Sequence, residues 1–265
     1  MDVLNEAIIK AAVIDRLLRH HIDDDAVLIS EMVLSKGVRR ADLAVANGYL
    51  QAFEIKSELD TLVRLDGQLE AYSAQFDKVT LVVAARFVDA VLSKYPKNVE
   101  VWEARNGDNG VQIKQRRRGE CRPVKSVAAL GGFLRKTDIV NFLRSEGRMA
   151  STEDSRIDLM TALECTNVSC LRRFVLLTIK KRYKALHSAF IARRNGVTLA
   201  GDLVALRRTE SGVACTQVRP EFRSNKYEVE SGYRTGRSVN IDRLRKRYGI
   251  VADDLPQTVL LRGAA

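Results

Sequence analysis

Apolar side chains recur every three or four positions between residues 5 and 20, where Ile8, Ala11, Ala12, Ile14, Leu17 and Leu18 are interleaved with Lys10, Asp15, Arg16 and Arg19. That spacing predicts an amphipathic helix, with the apolar groups along one stripe. The period then changes. After the acidic turn Asp23-Asp24-Asp25 come three β-like runs, 26–34, 39–46 and 50–57, separated by Lys36-Gly37 and by Asn47-Gly48. Turn-forming pairs between such runs predict a three-stranded antiparallel meander.

Helical spacing returns over 61–76, where Leu62, Leu65, Leu69 and Tyr72 or Phe76 supply an apolar face and Asp60 stands in the N-cap position. Residues 78–85 are apolar except for Thr80, the pattern of a strand covered on both faces. A helix over 87–95 is stopped by Pro96, and strand-like runs at 99–103 and 111–114 flank a turn at 106–110. Beyond the basic stretch 116–123, helices are predicted over 134–143, 155–163 and 171–186. In the last segment, 203–206, 213–218 and 227–229 read equally as short strands or as parts of a mobile basic arm. The chain is thereby expected to be of the α/β class, with a core over 1–120, a helical region over 121–185 and a basic extension over 186–265.

Charge sharpens that division. Residues 1–120 carry 17 Lys and Arg against 19 Asp and Glu, whereas residues 121–265 carry 27 against 14, within a net charge of +11. A near-neutral front and a basic back are the footprint of a protein that binds a polyanion, nucleic acid above all. A solvated basic surface or a partner-binding arm has the same composition. No apolar run approaches the roughly 18 residues that span a bilayer, and Asp2 stands where a secretion signal is basic, so neither membrane spanning nor export is expected. Cys121, Cys165, Cys170 and Cys215 are scattered without the common zinc spacing and read as reduced thiols of a cytoplasmic protein.

The meander brings chemistry into register. Side chains on one face of a strand recur every second residue, and directly opposed residues share a face. A two-residue turn at Lys36-Gly37 places Glu31 opposite Asp42. A three-residue loop at Asn47-Gly48-Tyr49, with Gly48 left-handed, pairs Ala46 with Leu50 and sets Asp42 opposite Glu54; a two-residue Asn-Gly turn would put them on opposite faces. With the longer loop, Glu31, Asp42 and Glu54 form a row, Lys56 shares their face, and Phe53 and Ile55 point the other way. Three acids at about 5 Å repel one another unless a cation joins them, and Mg²⁺ or Mn²⁺, which prefer oxygen ligands, meet that need. Lys56 would then stabilise negative charge developing on phosphorus. An edge strand with charges facing solvent is the alternative.

Asp60, Arg64, Gln68 and Tyr72, four apart, predict a polar row along the following helix. Gln68 is placed to orient a water or a phosphate and Arg64 to bind the scissile phosphate. The basic groups Arg116-Arg117-Arg118 and Arg243, Arg245, Lys246 and Arg247 are further candidates for gripping a phosphate backbone. His20, His21 and His187 lack the spacing of a metal pair and read as helix-end or surface residues. Gly131-Gly132 is not followed by the lysine of a phosphate loop.

Arg40-Ala41-Asp42-Leu43-Ala44, then Phe53-Glu54-Ile55-Lys56-Ser57, followed by a helix and a buried strand, resembles the core of the PD-(D/E)XK nuclease superfamily. The run Glu54–Leu62, with Arg64-Leu65, Gln68 and Tyr72 after it, resembles more narrowly the sce7726 family of bacterial proteins, over about residues 1–185. The resemblance implies a restriction-endonuclease-like mixed sheet flanked by helices, with Asp42 and Glu54 as ligands of Mg²⁺ or Mn²⁺ and Lys56 as the catalytic lysine. Ala41 occupies the place of the name-giving proline, which carries no chemistry. The superfamily's extra acid usually comes from the first helix, here Glu6, and competes with Glu31 for that role. The expected activity is metal-dependent phosphodiester hydrolysis, most readily of DNA, with Asp42, Glu54, Lys56 and Gln68 in the site. The alternative is a nuclease-fold module that binds nucleic acid or a protein partner without cutting.

Overall fold

The three β-like runs form strands β1 (Val27–Val33), β2 (Arg40–Ala46) and β3 (Leu50–Lys56), successive strands antiparallel. The computed structural model describes residues 3–20, 25–34, 39–108, 110–207, 236–238 and 258–260. Ala46 pairs with Leu50, and Gly48 sits at φ +101°, so the connection is the three-residue loop with a left-handed glycine. The Asn47 N–H closes it on the Tyr49 carbonyl at 3.2 Å. On the other side of β2, Ser30 pairs with Leu43 and Met32 with Ala41, the frame that places Glu31 across from Asp42.

The chain continues through helix α2 (Leu65–Gln75) to β4 (Lys78–Ala84), parallel to β3, and through a 3-10 turn and helix α3 (Val88–Lys94) to β5 (Glu100–Gly107), parallel to β4. Strand β6 (Gly110–Arg117) returns antiparallel. The result is a six-stranded mixed sheet with its strands in chain order. Both faces are covered, which is why β4 is almost wholly apolar and β3 is buried along its whole length, its polar Gln51, Glu54 and Lys56 included. On one face Leu65, Leu69 and Tyr72 of α2 and Val88 and Val91 of α3 meet Ala44, Ala52 and Leu81. On the other, Ile9, Val13, Ile14 and Leu17 of helix α1 (Glu6–His20) pack on Leu43, Phe53, Ile55 and Val82. Each Val, Leu, Ile or Phe among them, fully buried, contributes about 1.5–3 kcal/mol.

Four helices follow: α4 (Val127–Gly132), too short to be read from periodicity, α5 (Lys136–Ser145), α6 (Arg156–Leu163) and α7 (Val168–Arg193). Helix α7 runs longer than the predicted 171–186 and covers the sheet edge: the Leu28 N–H of β1 donates to His187 Nδ1 at 3.3 Å. His187 is therefore no surface residue, and burial pulls its pKa down, which preserves the neutral acceptor. Residues 203–206, one of the expected strands, are part of a 3-10 turn, Ala200–Leu206, because Leu203 and Leu206 pack three apart against the α1 side of the sheet. The expected strands 213–218 and 227–229 lie outside the described residues.

The change of charge at 116–123 is not a break in packing. Leu130, Phe133, Ile139, Leu143, Leu171, Val175 and Ile179 of the helical region belong to the same apolar cluster as α2 and α3. Compact unit 1 extends over Met1–Gln217; unit 2, Val218–Ala265, contributes the short antiparallel pair β7 (Gly236–Ser238) and β8 (Thr258–Leu260). Asp77 ties sheet to helices within unit 1. Its carboxylate, 1% exposed, accepts from the Leu50 N–H at 2.7 Å and the Val124 N–H at 2.8 Å, and it pairs through both oxygens with Arg172 of α7. Removing one partner of a buried pair strands the other charge and the two amides. Asp77→Ala is expected to cost about 3–5 kcal/mol in urea unfolding, and a cost below about 1 kcal/mol would show that this contact does not hold the two layers together.

Candidate active site

Beyond Leu43–Phe53, the β2–β3 ladder extrapolates to Asp42 opposite Glu54. The Asp42 carboxylate accepts the Ile55 N–H at 2.7 Å, a bond that fixes the acid across the two strands. Glu54 and Lys56 lie on the α2 face, where their strand neighbours Leu50 and Ala52 join the apolar core. The apolar packing thus stops at Ala52, and the same face continues as a charged cleft of about 470 Å³ lined by Glu6, Glu31, Arg39, Arg40, Asp42, Glu54, Lys56, Asp60, Arg64 and Gln68.

Glu54 is 1% exposed and both its oxygens are engaged. Oε1 accepts from Lys56 Nζ at 2.7 Å and from Gln68 Nε2 at 2.5 Å; Oε2 accepts from the Tyr72 hydroxyl at 2.7 Å. Lys56 is held a second time by Gln68 Oε1 at 3.1 Å. Burial and the charge of Glu54 push the Tyr72 phenol well above its ordinary range, so it stays a proton donor. Gln68 and Tyr72, one turn apart on α2, therefore serve the same carboxylate. Arg64 precedes the first residue of α2 and lines the cleft as an exposed group. Asp60 is not on the helix. Its carboxylate accepts from Ser57 N and Oγ at 2.8 and 2.6 Å, closing a local turn, and α2 begins only at Leu65.

Glu6 and Glu31 were expected to compete for the place of the extra acid; the fold brings in both. One oxygen each of Glu6, Glu31 and Asp42 lies within 4.8 Å of the others, a set of hard oxygen donors of the kind that divalent cations take. Glu54 is outside that trio. Glu31 adopts φ +56°, left-handed for a non-glycine residue, and the β1–β2 ladder omits its position. Such a backbone costs on the order of 1–3 kcal/mol and persists where its surroundings over-determine it. Here Lys10 Nζ holds Glu31 at 2.6 Å and Glu6 at 3.0 Å, and Arg40 holds the other Glu31 oxygen at 2.9 Å. Burial of Lys10 favours losing its proton, but the bonds to Glu31 and Glu6 outweigh it and its pKa rises. Lys10, Arg39 and Arg40 escaped the sequence reading: Lys10 looked like the polar side of an amphipathic helix, and the two arginines like a strand end.

The other predicted phosphate contacts lie elsewhere. Arg117 is folded back onto the carbonyls of Val99, Leu92 and Tyr95 at 3.0–3.2 Å, a structural role that removes it from the expected binding set. Arg116 pairs with Glu103 at 3.6 Å, and Arg118 is exposed; all three belong to or follow the opposite edge strand. Arg243, Arg245, Lys246 and Arg247 lie outside the described residues.

Burial first, and then the charge of Glu54, hold the Asp42 carboxyl well above the usual carboxylate range, although the Ile55 N–H opposes this. Because the folded carboxyl keeps its proton to higher pH than the unfolded one, that proton's contribution to stability is complete below the ordinary carboxylate range. It is lost as pH rises through the raised value. At neutral pH in chelator an ionised Asp42 is a cost, so Asp42→Asn is expected to melt higher than the wild type, by about 2–4 °C per kcal/mol relieved. The difference should shrink as melts are repeated toward acid pH; an Asn variant that melts lower at neutral pH refutes the assignment.

The family model described as Bacteriophage P4 protein cII matches residues 1–207. Protein cII of Enterobacteria phage P4 is 34% identical over 268 residues, covering 98% of this chain and 98% of that protein. A solved structure, the SPO1766 protein of unknown function from Silicibacter pomeroyi, aligns with 47% of this chain and 77% of its own length at 20% identity and a TM-score of 0.35, too slight a likeness to define a fold. Among the described residues no helix is long and apolar enough to cross a membrane.

Proposed function

The chain belongs to the bacteriophage P4 protein cII family, and within that family we propose that it is a metal-dependent nuclease that hydrolyses phosphodiester bonds, with DNA as the substrate class. The observation that carries this reading is the convergence, in one cleft, of the Glu6–Glu31–Asp42 oxygens with a buried Glu54–Lys56–Gln68 relay. The order β2, β3, α2, β4, with Asp42 on β2 and Glu54 and Lys56 on β3, supports a restriction-endonuclease-like fold and the PD-(D/E)XK and sce7726 resemblance read from the sequence.

The donor set suits Mg²⁺ or Mn²⁺: three carboxylates, each offering an oxygen within 4.8 Å of the others. Glu6, Glu31 and Asp42 would hold the ion, with Glu54 beside them. When bound, it supplies Lewis acidity toward the phosphate and lowers the pKa of water. The protein's own contribution is preorganisation. Lys56, fixed between Glu54 and Gln68, offers its ammonium to the negative charge that grows on the phosphoryl oxygens during attack, at a site that needs no reorganisation when the charge appears. Tyr72 locks Glu54, and through it the lysine. The basic residues of the second half add non-specific hold on the strand.

A second reading, a nuclease-fold module that binds without cutting, has one observation in its favour: both Glu54 oxygens are taken by protein donors. Cleavage assays over duplex, single-stranded and branched DNA and over RNA, with Mg²⁺ or Mn²⁺ and in chelator, separate the two. The nuclease reading expects metal-dependent products, and a kcat reduced at least about 10²-fold in Lys56→Ala, with Asp42→Ala losing Mn²⁺ binding by calorimetry. Oligonucleotide binding with no cleavage of any substrate, or cleavage that Lys56→Ala and Asp42→Ala leave untouched, eliminates it.

A further inference from the structure

Among the described residues four cations line the cleft, and two of them have an acid partner there. Arg40 is engaged by Glu31 and Lys56 by Glu54, whereas among the described residues no carboxylate stands within ion-pair range of Arg39 or Arg64. This is unexpected in a cleft that also holds Glu6, Asp42 and Asp60. Folding has kept two guanidinium groups unneutralised beside a concentration of acids, which is the arrangement an incoming phosphate requires.

Gly67 explains how one of them is held. It lies in the first turn of α2, where alanine would favour the helix more than glycine does. A Cβ built there would stand 2.5 Å from Arg39 Nη2, 3.3 Å from its Cζ and 3.5 Å from Nη1. The Arg39 guanidinium therefore lies against the bare backbone of α2, in space that any other residue would fill. The fork is planar and five-donor, so a fixed placement matters more for it than for a lysine.

We propose that Arg39, with Arg64 beside it in the cleft lining, grips a phosphate of the bound nucleic-acid strand, and that Gly67 is the positioning residue that gives Arg39 its seat. The proposal rests on the reading of the cleft as a nucleic-acid site and names the contact that orients the strand there. It also accounts for a helix that tolerates a glycine in its first turn. Displacing Arg39 is cheap for the fold, because the clashing atom is the far end of a flexible side chain and alanine favours the helix.

That separation of stability from binding is the test. Affinity of the full chain for a fluorescent oligonucleotide is measured by anisotropy in chelator over a salt series, alongside thermal melts, for the wild type, Arg39→Ala, Gly67→Ala and the double variant. Arg39→Ala is expected to weaken binding about tenfold and to lower the salt slope by about one. Gly67→Ala is expected to lose a similar factor while its Tm stays level or rises, and the double variant to lose no more than Arg39→Ala does. Wild-type affinity and slope in Arg39→Ala overturn the proposal while leaving the nuclease reading standing, and so does additive loss in the double variant. A wild-type chain that binds no oligonucleotide, in chelator or with Mg²⁺, overturns both.

Discussion

The register of one hairpin governs everything else in the cleft. With Gly48 left-handed and three residues in the loop, Ala46 faces Leu50 and the ladder runs on to set Asp42 across from Glu54. A loop one residue shorter would put Asp42 and Glu54 on opposite faces of the sheet, because the side-chain period of a strand is two. Asp42 would then lose the Ile55 N–H and could no longer share a site with Glu54. One glycine's access to positive φ thus decides whether Glu54 and Lys56 share a face with Asp42.

That cleft is held at a cost. Asp42 is pushed toward its protonated form, Glu31 sits in a strained backbone, and Glu54 is buried and needs three donors to be stable there. The surrounding structure meets each demand with a named group: Lys10 and Arg40 for Glu31, Lys56, Gln68 and Tyr72 for Glu54. A carboxylate cluster of this kind stabilises nothing in itself. Within the same unit it lies beside Arg39 and Arg64, which have no acid partner among the described residues.

The helical region is part of the same construction. A basic stretch suggested a boundary near 116–123, yet the apolar side chains on either side of it belong to one cluster, and Asp77 and Arg172 join the end of α2 to α7. Charge composition follows what a surface binds; packing follows where apolar side chains can be buried together. The two need not change at the same residue. The same distinction explains His187, whose isolated position in sequence hid its use as the acceptor for an edge-strand amide.

Local periodicity was enough to locate β1 to β4, α2 and α3, because period two and helical spacing are properties of neighbouring residues, and it narrowed the β2–β3 register to two loops, of which the fold takes the three-residue one that puts Asp42, Glu54 and Lys56 on one face. Gln68 and Tyr72 could be aligned by their spacing for the same reason. What neighbouring residues could not disclose was which groups from distant segments enter the cleft. Glu6 and Lys10 come from α1, Arg39 reaches Gly67 on α2, and Arg117, which looked free, is folded onto three carbonyls. These contacts join residues far apart in the chain, and only the packing of α1, α2 and the sheet around a common core brings them within bonding distance.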